Sequence, residues 1–173
     1  MTARVGHRAP DFTTTAVVNG DFKEVSLADS RGKWTVLFFY PLDFTFICPT
    51  EITEFSKRID EFKELNAVVL GCSTDSHHSH KAWIKNGLGE IKYPLLADMT
   101  REVSRQYGVL MEEKGFSLRG TFIIDPEGKL RMSQINDTGV GRSVGEVIRT
   151  LAALQTGELC PVEWKPGQKT LGK

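Results

Sequence analysis

The sequence predicts an α/β protein built on a mixed β-sheet with flanking helices. Residues 33–40 and 67–72 form nearly continuous apolar runs, which are typical of strands buried on both faces. Each run is followed by a segment with helical character, and paired β-prone segments stand before the first run and again after residue 118. Because strand and helix alternate in this way, an α/β sandwich is the expected architecture.

Turn and capping residues place the other elements. Asn19-Gly20 between two β-prone segments is a strong hairpin signal, so an N-terminal β-hairpin is expected. The turn residues at 125–128 indicate a second hairpin. Strands are predicted at 12–18, 22–27, 33–40, 67–72, 94–97, 119–125 and 130–136. Helices are predicted at 49–65, 74–85, 100–107 and 143–156, and the Pro-, Gly- and Lys-rich segment from 159 onward is expected to be extended or mobile.

Composition limits the function classes. The chain has 173 residues, of which 40% are hydrophobic and 25% charged, as in one globular domain. Its formal net charge is zero, so no bulk charge favours nucleic acid or an anionic membrane. No apolar run reaches the ~18 residues of a membrane span, and no signal-peptide pattern opens the sequence. A cytoplasmic location is therefore expected.

Three cysteines, Cys48, Cys72 and Cys160, carry the most informative chemistry. They are too few for a disulfide framework, and no Cys-x-x-Cys motif suggests a zinc knuckle or a thioredoxin-type dithiol. In a reducing compartment such cysteines are either buried and inert or chemically used.

Cys48 stands where a helix is expected to begin. Pro49 suits the first helical turn, and apolar residues recur beyond it at steps of three and four. The unpaired N–H groups and the dipole of a helix N-terminus favour an anion, which for cysteine is the nucleophilic thiolate. From these features alone, a buried structural thiol remains the alternative.

Two further features have less specific interpretations. Cys72 ends a predicted buried strand, which favours a small hydrophobic role in the core over a redox role. His77, His78 and His80 cluster at a helix start, but no acidic or cysteine partner stands at metal-ligand spacing. A solvated helix face is therefore favoured over a metal site.

The segment from Pro41 to Glu51, Pro-Leu-Asp-Phe-Thr-Phe-Ile-Cys-Pro-Thr-Glu, resembles the active-site signature of the typical 2-Cys peroxiredoxins, the AhpC/Prx1 group. Further blocks match that family in its order and extend the resemblance over residues 5–167. These blocks are 73–76, 82–83, 87–89, 119–125, 140–143, 157–161 and 164–167.

The resemblance implies a thioredoxin-like fold over residues 1–158, with the N-terminal hairpin as an extension and a tail at 159–173. It implies a thiol peroxidase that uses no metal and no organic cofactor. It also implies homodimers that often assemble into decameric rings, each a pentamer of dimers.

The same resemblance implies roles for individual residues. Cys48 corresponds to the peroxidatic cysteine, whose thiolate attacks a hydroperoxide and becomes a sulfenic acid. Pro41 would shield the site from water, and the Thr45 hydroxyl would bind the thiolate or the peroxide oxygen. Arg119 would stabilise the thiolate and the charge that develops on the leaving oxygen.

Three other residues complete this set. Glu51 and Arg142 correspond to the supporting groups that orient Arg119. Cys160 corresponds to the resolving cysteine, which comes from the partner chain and forms an intersubunit disulfide with Cys48. Because disulfide geometry is narrow, the first helical turn at Cys48 must unwind for this bond to form. From its position alone, an unimportant mobile thiol is the alternative for Cys160.

The sequence departs from the eukaryotic-type pattern in two places. Asn86 stands where sensitive members have the first glycine of Gly-Gly-Leu-Gly, and no Tyr-Phe helix follows Trp164. In sensitive members these two elements hold the peroxidatic cysteine folded and favour its overoxidation. A robust, bacterial-type enzyme is therefore expected.

Competing functions are a ring-forming holdase chaperone and a thiol redox relay. Retention of Pro41, Thr45, Cys48 and Arg119 favours the peroxidase, since a scaffold does not need that set. A thioredoxin-like dithiol reductase is disfavoured because no second cysteine lies near Cys48 in the sequence. The sequence leaves open whether thioredoxin or a flavin-linked AhpF-type protein is the reductant, and which hydroperoxide is preferred.

Overall fold

A computed structural model describes residues 2–173. The chain divides into two compact units, of which the first extends to Arg142 and the second comprises Ser143–Lys173. The expected boundary between residues 158 and 159 stays a prediction.

A seven-stranded mixed sheet forms the centre of the first unit, as the sequence predicted. Its strand order is β2-β1-β5-β4-β3-β8-β9, with β3, β4 and β5 parallel and the other neighbours antiparallel. The strands of this sheet are β1 (Thr13–Val18), β2 (Asp21–Ser26), β3 (Trp34–Phe39), β4 (Ala67–Ser73), β5 (Leu95–Ala97), β8 (Arg119–Ile124) and β9 (Leu130–Asn136). A separate two-stranded ribbon, β6 (Leu110–Met111) with β7 (Phe116–Ser117), was not predicted, because two-residue strands carry no periodicity.

The N-terminal hairpin has the predicted turn. Asn19 and Gly20 both have positive φ, 52° and 83°, as a two-residue type I′ turn requires. The two strands pair in register from Thr13 with Ser26 to Val18 with Asp21. The hairpin joins the sheet through β5, where Ala16 pairs with Leu96.

The helices differ from their predictions mainly at their ends. The helices of the first unit are α1 (Cys48–Lys57), α2 (Ile59–Glu64), α3 (His77–Trp83) and α4 (Glu102–Gln106), with a 3₁₀ turn at Leu27–Ser30 and a π-helical turn at Ile84–Leu88. The single helix expected at 49–65 is divided at Arg58, whose φ and ψ of −99° and 17° interrupt it. Within residues 2–173, no helix is both long and apolar enough to cross a membrane.

Aromatic rings pack helix α1 against the sheet. Phe38 of β3 stacks on Phe55 of α1 with ring centroids 4.3 Å apart, and Tyr93 meets Phe38 edge-on at 5.8 Å. Gly71 of β4 leaves room for these rings, since a Cβ there would lie 2.9 Å from Phe38 and from Leu95. This packing fixes α1, and with it Cys48, at the end of β3.

The second unit contains α5 (Val144–Thr156) and the segment that follows it. Ser143 caps the helix by accepting a hydrogen bond from the Glu146 N–H, and Gly157 ends it with a φ of 65°. The sequence predicted an extended or mobile segment beyond this point, and the structure shows local backbone hydrogen bonds there in place of an extended chain, while its mobility stays a prediction. Leu159 and Leu171 lie in a backbone pairing in which Leu159 N–H donates to Gly172 and Leu171 N–H donates to Leu159, both at 2.8 Å. These bonds give the segment a local fold, in which Trp164 is buried.

We expect Gly71→Ala to lower the free energy of unfolding by about 1–3 kcal/mol, because the added methyl group overpacks the core beneath α1. Urea denaturation measures this change. Gly139→Ala is the matched control, since a Cβ there has no atom within 4 Å. Equal stability of the two variants would contradict the packing role of Gly71.

Candidate active site

Cys48 is the first residue of α1 and is fully buried. The chain leaves the central strand β3 at Phe39, crosses a short loop and enters the helix at Cys48. Pro49 occupies the first turn, as predicted. Ile47 stands at the N-cap and makes no side-chain capping bond. The start of α1 thus lacks the hydrogen bond that serine, threonine or aspartate would supply.

Arg119 lies against the sulfur atom. It is the first residue of β8, and the antiparallel register of β8 with β3 places it beside the end of β3. Its Nη1 is 3.4 Å from Cys48 Sγ and 2.8 Å from Glu51 Oε2, while its Nε donates to the Thr138 carbonyl at 2.9 Å. The side chain is only 4% exposed, so its charge is poorly screened by water.

The Glu51 carboxylate joins two arginines. One oxygen accepts from Arg119, and the other accepts from the backbone N–H and the Nε of Arg142, both at 3.0 Å. Arg142 also donates to the Gly120 carbonyl at 2.8 Å and to the Phe39 carbonyl. Burial lowers the pKa of the Arg142 guanidinium, and the charge of Glu51 opposes that effect. Two guanidinium groups and one carboxylate leave a net charge of +1 beside the sulfur.

Pro41 and Thr45 both lie in the loop between β3 and α1. Pro41 is buried, and Thr45 is partly buried. The Thr45 hydroxyl donates to the Leu42 carbonyl at 2.8 Å. Its oxygen therefore keeps lone pairs that can accept a hydrogen bond from another group.

A buried network that the sequence reasoning missed anchors this loop. The Asp43 carboxylate accepts from the Tyr40 hydroxyl at 2.8 Å and lies 2.6 Å from His80 Nδ1, and the Asp43 N–H donates to Asp75 at 2.7 Å. His80 Nε2 is 2.9 Å from the Leu96 carbonyl, which can only accept, so this nitrogen carries a proton.

The expectation of a solvated histidine face is therefore wrong for His80, which is fully buried. His77 and His78 instead pack edge-on against Phe22, with ring centroids 4.7 and 5.1 Å away. The only sequence signal for the buried role was that Asp43 belongs to the same motif as Cys48.

The other two cysteines have different surroundings. Cys72 is fully buried in β4, and burial, followed by the charge of Asp98, raises the pKa of its thiol well above the ordinary value. This environment favours the protonated thiol over the thiolate, which is the nucleophilic form of cysteine. Cys160 is partly exposed, and its sulfur lies 3.4 Å from Thr156 Oγ1 and 3.7 Å from the Ala153 carbonyl at the end of α5.

Residues 5–133 match the AhpC/TSA family. Among curated proteins, YkuU of Bacillus subtilis is 57% identical over 175 residues, which cover 96% of this chain and 97% of that protein. Peroxiredoxin-2 of Mus musculus is 53% identical over 178 residues, which cover 98% of this chain and 90% of that protein. The mitochondrial thioredoxin-dependent peroxide reductase of Drosophila melanogaster is 57% identical, covering 94% and 74% of the two chains.

Solved structures show the same relationship. The reduced 2-Cys peroxiredoxin of Plasmodium vivax superimposes with a TM-score of 0.93 at 41% identity, over 95% of this chain and 91% of that chain. AhpC of Enterococcus faecalis superimposes with a TM-score of 0.88 at 40% identity, over 93% and 100%.

We expect Glu51→Gln to lower the free energy of unfolding by about 3–5 kcal/mol, because it leaves two buried guanidinium groups without their shared counter-ion. Denaturant unfolding measures the loss. Glu61→Gln is the matched control, since the Glu61–Arg58 pair is partly exposed and its removal should cost less than about 1 kcal/mol. A loss at Glu51 no larger than at Glu61 would contradict the role of the carboxylate as counter-ion.

Proposed function

The chain belongs to the AhpC/TSA family and is a peroxiredoxin, a thiol-dependent peroxidase, and from this premise we propose that Cys48 is its peroxidatic cysteine. The observation that carries the proposal is the contact of Arg119 Nη1 with Cys48 Sγ at 3.4 Å in a buried, net positive cluster. Hydrogen peroxide and organic hydroperoxides are the proposed substrates.

In the first step, the Cys48 thiolate attacks the terminal oxygen of the hydroperoxide. An S–O bond forms and the O–O bond breaks, so the sulfur is oxidised to sulfenic acid and the peroxide is reduced. The leaving oxygen takes a proton and departs as water or an alcohol. Arg119 is held by Glu51 and Thr138, so its guanidinium is already oriented toward the charge that develops on that oxygen.

The loop residues position the substrate. The Thr45 hydroxyl is oriented by the hydrogen bond that it donates to the Leu42 carbonyl. Its oxygen can accept a hydrogen bond from the O–H group of the incoming peroxide. Buried Pro41 limits the access of water to the sulfur. Arg142 supports the arrangement by fixing the second oxygen of Glu51.

In the second step, the thiol of Cys160 from the partner subunit attacks the sulfenic sulfur of Cys48. A disulfide forms, and the sulfenic oxygen leaves as water. Since Cys48 is fully buried, the first turn of α1 must unwind to expose it. The missing side-chain cap at Ile47 supports this step, because a capping bond adds typically about 1 kcal/mol to a helix start.

The proposed assembly is a homodimer that associates into a decamer. Phe44 and Phe46, on the loop before Cys48, are 59% and 94% exposed, and such apolar side chains support coverage of this loop by another protein surface. A thioredoxin-like dithiol or an AhpF-type protein is the proposed reductant of the disulfide, in the cytoplasm. The tail at 159–173 is the proposed carrier of the resolving cysteine.

We expect Arg119→Ala to lower the rate of peroxide reduction by about 10²–10³-fold, because one oriented donor to the developing oxyanion is lost. Stopped-flow kinetics gives the rate, and ultraviolet absorbance gives the thiolate fraction of Cys48 in the same variant. The rate should fall far more than the thiolate fraction.

Arg105→Ala, which removes an exposed arginine paired with Glu102 and Glu112, is the control and should retain the wild-type rate. A rate loss in Arg119→Ala that the thiolate fraction fully accounts for would refute the oxyanion role.

We also expect peroxide to convert the wild type into a disulfide-linked dimer on a non-reducing gel, and Cys160→Ser to prevent this. Cys72→Ala is the matched control and should still form the dimer, because its buried thiol takes no part. A dimer that persists in Cys160→Ser would overturn the assignment of Cys160 as the resolving cysteine.

A further inference from the structure

A cavity lies away from the peroxidatic loop, where the parallel strands begin. Its volume is about 360 Å³, and its walls include Lys33, just before β3, the start of β4 at 67–69, and Pro94, just before β5. Cys48 follows the opposite end of β3. The cavity is therefore separate from the groups that bind the peroxide.

The floor of this cavity is apolar. It is lined by Ile59 of α2, Val68 and Val69 of β4, Tyr93 and Pro94. Val69 and Tyr93 are buried, and Val68 is half-buried. A floor of this kind binds the hydrocarbon part of a ligand by removing it from water.

The rim is cationic. Lys33, Lys63 and Lys92 come from three separate segments of the chain, and all three are exposed residues that line the cavity. No carboxylate lines the cavity in the part of the chain that the structure describes. Lys63 pairs with Asp60 at 3.4 Å, but both side chains are mostly exposed, so this ion pair holds the lysine only weakly.

The positive charge of these three lysines contrasts with the chain as a whole, which has 22 basic and 22 acidic residues. We propose that the cavity is a binding site for a small organic anion, a carboxylate or phosphate attached to an apolar body. The lysine ammonium groups bind the anionic head as point charges, and the floor takes the body. A volume at the small end of the range for ligand pockets favours a compact or short-chain molecule.

Tyr93 connects this site to helix α1. Tyr93 lines the cavity, and its hydroxyl donates to the Ile52 carbonyl at 2.7 Å. A ligand on the floor would therefore be detected at Val68 and Val69 and, through Tyr93, at Ile52. These positions distinguish the site from adsorption elsewhere on the surface.

Isothermal titration calorimetry with sodium octanoate tests the proposal. We expect saturable binding with one site per chain, about tenfold weaker in the variant that combines Lys33→Gln, Lys63→Gln and Lys92→Gln. The control variant combines Lys23→Gln, Lys114→Gln and Lys169→Gln, which remove the same charge from exposed positions outside the cavity and should leave binding unchanged.

Two companion ligands separate the parts of the site. Octyl phosphate should bind as octanoate does, whereas acetate and 1-octanol, which lack the body or the charge, should bind at least tenfold more weakly. NMR shifts on titration should centre on Val68 and Val69. Equal weakening by the two triple variants, binding of 1-octanol as tight as that of octanoate, or shifts centred elsewhere would overturn the proposal. Peroxide turnover without added anion should be the same in all variants, so this result is independent of the role of Cys48.

Discussion

The active site depends on one carboxylate, that of Glu51, buried between two guanidinium groups. Neither Arg119 nor Arg142 could be buried here at low free-energy cost without it, because an unpaired charge in a low-dielectric interior is strongly destabilising. The cluster has a net charge of +1, and Arg119 brings part of that charge to within 3.4 Å of the Cys48 sulfur. The same ion pairs therefore stabilise the fold and hold Arg119 in the position that the proposed mechanism requires.

The geometry of this cluster follows from strand pairing. Because β8 runs antiparallel to β3, its first residue, Arg119, lies beside the end of β3, and the chain emerging from β3 enters α1 at Cys48. Glu51 then lies one turn further along the same helix. Arg119 and Cys48 are 71 positions apart in the sequence, and the register of β8 on β3 brings Arg119 Nη1 to 3.4 Å from Cys48 Sγ.

The two ends of the loop between β3 and α1 are held by different interactions. Asp43 anchors the first half of the loop. Its carboxylate contacts Tyr40 and His80, and its N–H donates to the Asp75 carboxylate. The second half enters the helix at Ile47 without a cap. The proposed opening of the first turn of α1 needs this arrangement, in which the start of the loop stays attached to the core while the helix end has no side-chain cap.

The sequence by itself determined the features set by local backbone chemistry. Asn19-Gly20 required a type I′ turn, Ser143 and Gly157 delimited α5, and Pro49 placed Cys48 at a helix start, because each acts through its own φ and ψ or a hydrogen bond within four residues. Arg119, Glu51 and Arg142 were also predicted as site residues, but only from the resemblance to the family.

Only the tertiary structure decided which groups touch. Arg119 contacts Cys48 from 71 positions further along the chain, and His80 is buried beside Asp43. The lysines of the cavity likewise come from segments far apart in the sequence. The break at Arg58 and the pairing of Leu159 with Leu171 likewise went unpredicted. Such contacts depend on strand register and on packing between elements, which periodicity and capping residues do not encode.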